Sequence, residues 1–182
     1  MTRVNRARPL LASAVVVLFV ACDPPGDQDG PPPEMESVAA DSVAATDDRD
    51  TAVVSQTVYV PDYAHVYHGN DRTAYALTTT LSVRNTDPER PITLGAVRYY
   101  DTEGELTRRF IDRPRRLGPF GTAEFVVAEH DVTGGSGANF IVEWHAARPV
   151  SPPLIESVMI GTRSGQGISF TSRGQPIERY PQ

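Results

Sequence analysis

Hydrophobic and polar positions alternate with period two across most of the chain after residue 57. In 74–84, Tyr75, Leu77, Leu81 and Val83 fall on one parity while Thr78, Thr80, Ser82 and Arg84 fall on the other, the pattern of a strand with one buried face. In 139–145, Phe140, Val142 and Trp144 share a side opposite Asn139, Glu143 and His145, with Ile141 as an apolar intrusion. The same period recurs around Phe125 and Val127, and around Ile168 and Phe170. In 91–100 the parity slips: Ile92 and Leu94 are even, Val97 and Tyr99 odd, and Gly95 between them predicts a β-bulge. Turn signals separate the runs, at 85–88, 101–104, Gly118-Pro119, 134–137, Pro152-Pro153 and Arg173-Gly174. No stretch carries a sustained helical stripe; 154–160 comes nearest, but it is short and runs into Gly161. The pattern predicts an all-β fold, a single antiparallel β-sandwich of about seven to nine strands, with Trp144, Phe140, Phe125 and Tyr99 in its core.

The start of the 182-residue chain reads differently. Arg3, Arg6 and Arg8 precede an apolar run of 12 residues, Leu10 to Ala21. At about 1.5 Å per residue such a run spans about 18 Å as a helix, short of a bilayer core of about 30 Å, so residues 1–21 read as an export signal and not a permanent span. The run ends in Phe19-Val-Ala-Cys22, which resembles the bacterial lipobox. The resemblance implies cleavage between Ala21 and Cys22, diacylglyceryl transfer to the Cys22 thiol, and two or three acyl chains as a stable anchor. Cys22 is the single cysteine, which excludes an internal disulfide and a cysteine-based zinc motif. Asp23, directly after it, resembles the residue that keeps lipoproteins in the inner membrane of some Gram-negative bacteria.

Composition shifts again over 22–56, where nine carboxylates face Arg49 alone, a side-chain charge of −8. With Pro31, Pro32 and Pro33 and little to bury, this segment does not offset its ordering entropy and is expected to be a flexible acidic tether of roughly 30–35 Å reach. Residues 57–182 hold 14 acidic and 13 basic residues and are nearly neutral, so the net −6 of the chain comes from the tether. All 17 basic residues are arginine, and a pI near 5.2 argues against a phosphate-driven nucleic-acid binder.

The blocks 58–61 with 65–68, Leu81-Ser-Val-Arg-Asn-Thr86, Val97-Arg-Tyr-Tyr-Asp101, Gly134 through Trp144, and Gly167-Ile-Ser-Phe170 together resemble a bacterial family catalogued as domain of unknown function 3124. The resemblance implies an exported, often lipid-anchored protein with one small domain, and no activity, substrate or catalytic residue. More loosely, the run from Leu77 through Asn85, Ile92, Tyr99 and Gly104 to Phe125 is similar to stress-associated sandwiches of the late-embryogenesis type. The fold expected is thus immunoglobulin-like or late-embryogenesis-like.

Five patterns carry candidate chemistry. His65 and His68, with a bend at Gly69-Asn70 bringing in Asp71 and with His130 or His145 added, would make a zinc or copper site; the competing reading is a strand of amphipathic aromatics with ordinary polar histidines. Asp101-Thr-Glu-Gly-Glu105 superficially matches a calcium loop but reads better as a tight turn, and 161–167 reads as a hairpin connection and not a phosphate loop. Ser136 with His130 or His145 lacks a third member and an oxyanion hole for a hydrolase. The cluster Arg108, Arg109, Arg113, Arg115 and Arg116 is either a solvated face or a contact for anionic lipid, polysaccharide or an acidic envelope protein.

These readings converge on a non-enzymatic binding or scaffolding module without a cofactor, held on the periplasmic side of a bacterial cell envelope by the lipid on Cys22, with the inner membrane favoured by Asp23. Metal binding through the His/Asp set is the alternative, and a hydrolase stands third. The module is expected at 57–182, behind the signal at 1–21 and the tether at 22–56.

Overall fold

The computed structural model describes residues 52–163 and 166–180. In chain order these form β1 (Val54–Pro61), β2 (His65–Tyr67), β3 (Ala74–Ala76), β4 (Thr78–Arg84), β5 (Ile92–Tyr100), β6 (Leu106–Arg109), β7 (Arg115–Leu117), β8 (Thr122–Val127), a 3-10 turn at Gly135–Gly137, β9 (Asn139–Ala146), β10 (Leu154–Arg163), β11 (Gln166–Arg173) and β12 (Gln175–Tyr180). Every strand pairing is antiparallel, and the described residues contain no α-helix. The expected all-β sandwich is the fold. Its strands number twelve where seven to nine were expected, because β2, β3 and β7 are only three residues long and leave no room for alternation to show. The run 74–84 is in fact two strands, broken at Leu77, whose N–H donates to the Ala64 carbonyl at 3.0 Å.

One sheet is ordered β12-β1-β9-β5-β6, with β7 also on β5; the other is β11-β10-β4-β8, and β2 and β3 form a separate hairpin. Their facing sides supply one core. Val58, Val60, Leu94, Val97, Tyr99, Phe140, Val142 and Trp144 of the first sheet meet Leu81, Val83, Ala123, Phe125, Val127 and Ile155 of the second. All four expected core aromatics are buried. The bulge falls where the parity slips: Leu94 pairs with Trp144 and Ala96 with Glu143, so Gly95 is the extra residue that returns Val97 and Tyr99 to the core side.

β1 starts at Val54, ahead of residue 57, because Ser55 and Gln56 hide its alternation. The chain changes sheet at Gly174, between β11 and β12, where a Cβ would sit 2.7 Å from Val58 Cγ1. A side chain there would separate the two layers. The segments expected to be an export signal and a tether, Cys22 among them, lie outside the described residues through residue 51.

Candidate functional site

The strand register separates the residues singled out in the sequence. Call proximal the end at which the chain enters β1; there Ser55, His145, Thr93 and Arg116 form one cross-strand row through β1, β9, β5 and β7. Asn139, Pro61 and Tyr100 form the distal row. Six residues of β9 separate His145 from Asn139, about 20 Å.

That separation takes His145 away from the other candidate ligands. His145 is buried on β9 at the proximal end, whereas His65 lies on β2 beyond the distal end of β1 and His130 is exposed in the loop after β8. His65 packs its ring edge-on against Tyr67, with centroids 5.3 Å apart. The bend at Gly69 is present, but it is closed by the Asn70 side chain, which accepts from the Arg72 and Thr73 N–H groups at 2.8 and 2.9 Å and leaves His68 and Asp71 exposed. Among the described residues no group of three or more His, Cys, Asp or Glu side chains is placed to hold a metal. Ser136 sits in the 3-10 turn at the distal end, far from His145, so that pairing is not assembled either. Asp101 closes a tight turn as expected: its carboxylate accepts from the Glu103 and Glu105 N–H groups, and Gly104 takes φ 84°.

The arginine cluster is divided as well. β6 and β7 both flank β5 at the sheet edge, Arg109 opposite Arg98 and Arg116 opposite Thr93, which spreads the cluster along about 17 Å of edge. Strand alternation points them to different sides. Arg108 lies opposite Tyr99, pairs with Asp131, and places its guanidinium 5.3 Å from the Phe110 ring centre. Asp131, held first by a hydrogen bond from Thr133, titrates below the ordinary carboxylate value. Arg109 and Arg113 are exposed, and with Arg115 and Arg116 they form no ion pair among the described residues. Arg98, also on the outer side, is held by Glu143 at 2.6 Å. Toward β12 the same outer face has a shallow recess of about 200 Å³ lined by Ser55, Thr57, Glu143, His145 and Glu178.

The proximal end also presents a residue that periodicity does not reveal. Gly118, Pro119, Phe120 and Gly121 form a β-turn closed by the Gly121 N–H to the Gly118 carbonyl at 2.9 Å. Its third position requires positive φ, which ordinarily selects glycine or asparagine. Phe120 stands there instead, at φ 55° and 70% exposed. Buried Asn85 fixes the turn from beneath, donating Nδ2 to the Arg90 and Gly118 carbonyls at 2.8 Å each, while its own N–H reaches Gly121 O at 2.9 Å. Asp87 ties the neighbouring loop, accepting from the N–H groups of Glu89, Arg90 and Ser151, and those bonds lower its pKa. The sequence marks Gly118-Pro119 as a turn, and the signal for Phe120 is a large aromatic at the turn's glycine position.

At the distal end a buried carboxylate underpins the loop before β9. Asp62, 1% exposed, accepts from Thr79 Oγ1 at 2.9 Å and Tyr99 OH at 3.0 Å. Burial raises its pKa against the opposing hydrogen bonds, and burial followed by the Asp62 charge raises that of Tyr99. The group is sealed: Gly134 lies so close that a Cβ would fall 2.2 Å from Tyr99 OH. Its geometry serves to fix the loop.

Residues 55–177 match the profile of the family described as Protein of unknown function (DUF3124). The chain belongs to that family. The DUF3124 region begins in β1 and ends in β12, so it takes in both sheets. No curated protein matches the chain. Among solved structures, a Thermotoga maritima protein designated 1070 is similar at 8% identity, with a TM-score of 0.39 over 66% of this chain and 92% of that one.

Proposed function

We propose that this DUF3124 protein is a lipid-anchored envelope protein whose sandwich acts as a non-enzymatic binding module, contacting anionic envelope components through Arg113, Arg115 and Arg116. The observation that carries the reading is the division of the arginines. Arg84, Arg98 and Arg108 have carboxylate partners, whereas Arg115 and Arg116 of edge strand β7 and Arg113 in the loop before it have none among the described residues. Arginine on such an edge blocks strand addition by its charge and offers planar donors to phosphate or carboxylate. The lipobox-like run ending at Cys22 supports attachment on the periplasmic side.

Two measurements test this. Mass spectrometry of the protein from native envelopes is expected to find an acylated N-terminal Cys22; an intact, unmodified Met1 terminus contradicts the anchor. Co-sedimentation with envelope fragments is expected to be salt-sensitive and lost in Arg113→Gln/Arg115→Gln/Arg116→Gln, with Arg108→Gln retaining it. Equal behaviour of the two variants contradicts the edge as the binding surface.

A further inference from the structure

The Gly118–Gly121 turn holds a bulky residue where the backbone disfavours one. In the left-handed region the Cβ of a non-glycine residue crowds the following carbonyl oxygen. Phe120, 70% exposed, has little packing within the chain to offset that cost. The turn itself is rigid: Pro119 sets its second position, and Asn85 hydrogen-bonds both of its glycines. A strained aromatic on a fixed support is the arrangement expected where a side chain is displayed for a contact outside the chain.

Its place in the fold says what that contact is. Leu117, immediately before the turn, pairs with Ile92 at the proximal end of β5, and Val54, the first residue of β1, pairs with Ala146 at the proximal end of β9. From β1 through β9 and β5 to β7 is three strand spacings, about 14 Å. The Phe120 tip and the point where the N-terminal tether joins the domain therefore project from the same end. At this end stand Arg116, exposed on the outer side of β7 opposite Thr93, and Arg148, exposed just after β9; neither is ion-paired among the described residues. Exposed Glu89 lies in the adjoining loop and exposed Glu124 follows the turn on β8, while Asp87 is spent on three backbone N–H groups.

We infer that this turn is a membrane-contact tip: Phe120 enters the headgroup and acyl boundary of a phospholipid bilayer while Arg116 and Arg148 meet headgroup phosphates. An aromatic ring flanked by arginines suits that boundary, which takes apolar area on one side and offers phosphate acceptors on the other. The inference rests on the envelope-binding reading and narrows its partner to lipid. It gives the acyl anchor a second, reversible contact, the two-signal arrangement that holds peripheral proteins firmly.

The test uses the chain from residue 22 onward with Cys22→Ser, which cannot be acylated and lacks the apolar run 10–21, and vesicles of phosphatidylcholine and phosphatidylglycerol at 3:1. In Phe120→Trp, the added indole is expected to shift to shorter wavelength on vesicle addition and to be quenched by brominated acyl chains, over the constant background of buried Trp144. Phe120→Gly is expected to reduce vesicle partitioning about tenfold, from loss of one buried aromatic. Glycine relieves the backbone strain, and a thermal midpoint at or above that of the parent separates this loss from unfolding. Arg116→Gln/Arg148→Gln is expected to weaken binding several-fold and flatten its salt dependence. An unshifted, unquenched indole signal from the Phe120→Trp variant, or Phe120→Gly binding as well as the parent, overturns the inference whatever the state of Cys22. A missing acyl group with a quenched tip indole removes only the anchor.

Discussion

Tyr99 donates its hydroxyl to Asp62 at 3.0 Å, joining β5 to the residue just after β1 beneath the Gly134–Gly137 loop. Thr79 of β4 donates to the other carboxylate oxygen, so one buried group links both sheets. The loop above is fastened separately: Asp62 N–H donates to Ala138 O at 2.8 Å, and Ala64 N–H to Gly135 O at 2.9 Å.

The charge state of Asp62 makes stability depend on pH. Burial lifts its pKa above the ordinary 3.8, so the folded state holds this proton more tightly than the unfolded chain. The resulting stabilisation is complete below the unfolded pKa and is lost as pH rises through the folded value. Asp62→Asn keeps a hydrogen-bonding amide without titrating. Urea midpoints measured from pH 4 to 8 are expected to show the variant gaining on the parent as pH rises; parallel curves would show that Asp62 is not perturbed.

Gly134→Ala is expected to destabilise the domain by about 3 kcal/mol, the scale of overpacking combined with a broken buried hydrogen bond. The new methyl group would displace Tyr99 OH and, on its other side, meet Ala138 Cβ at 2.8 Å. Adding Tyr99→Phe should recover part of the loss by removing the clash with the hydroxyl. Chemical denaturation of the single and double variants checks this, and equal losses would place the strain elsewhere.

Asn85→Ala removes the side chain that satisfies the Arg90 and Gly118 carbonyls and receives the Asp87 N–H at 3.0 Å. A loss of about 2–3 kcal/mol is expected, with faster amide exchange in 86–91 and at Gly121. Unchanged exchange there would show that the loops hold without it.

Phe120→Gly is expected to raise stability by about 0.5–1 kcal/mol, since relief of the positive φ exceeds the entropy of glycine in the unfolded chain. A thermal midpoint below that of the parent would mean that the exposed ring packs on the domain in solution.

Much of the fold was legible from local pattern. One residue of β-period decides which side chain faces the core, so Tyr75, Leu81, Phe140, Val142 and Trp144 announced their strands, and the parity slip at Gly95 announced the bulge. The three-residue strands were not legible, because their pairing comes from partners distant in the chain. Nor was the burial of His145, which alternation placed on the polar side of β9.

The sequence by itself determined that this is an antiparallel β protein of the DUF3124 type, since period-two burial and turn chemistry are local properties. Only the tertiary structure decided which polar residues meet. Neighbours in sequence such as Arg108 and Arg109 point to opposite sides of a strand, and residues far apart such as Asp62, Thr79 and Tyr99 share one buried site. It also decided that Phe120 stands strained and exposed at the proximal end, because a turn's backbone conformation and the loops around it are set by the register of every strand they join.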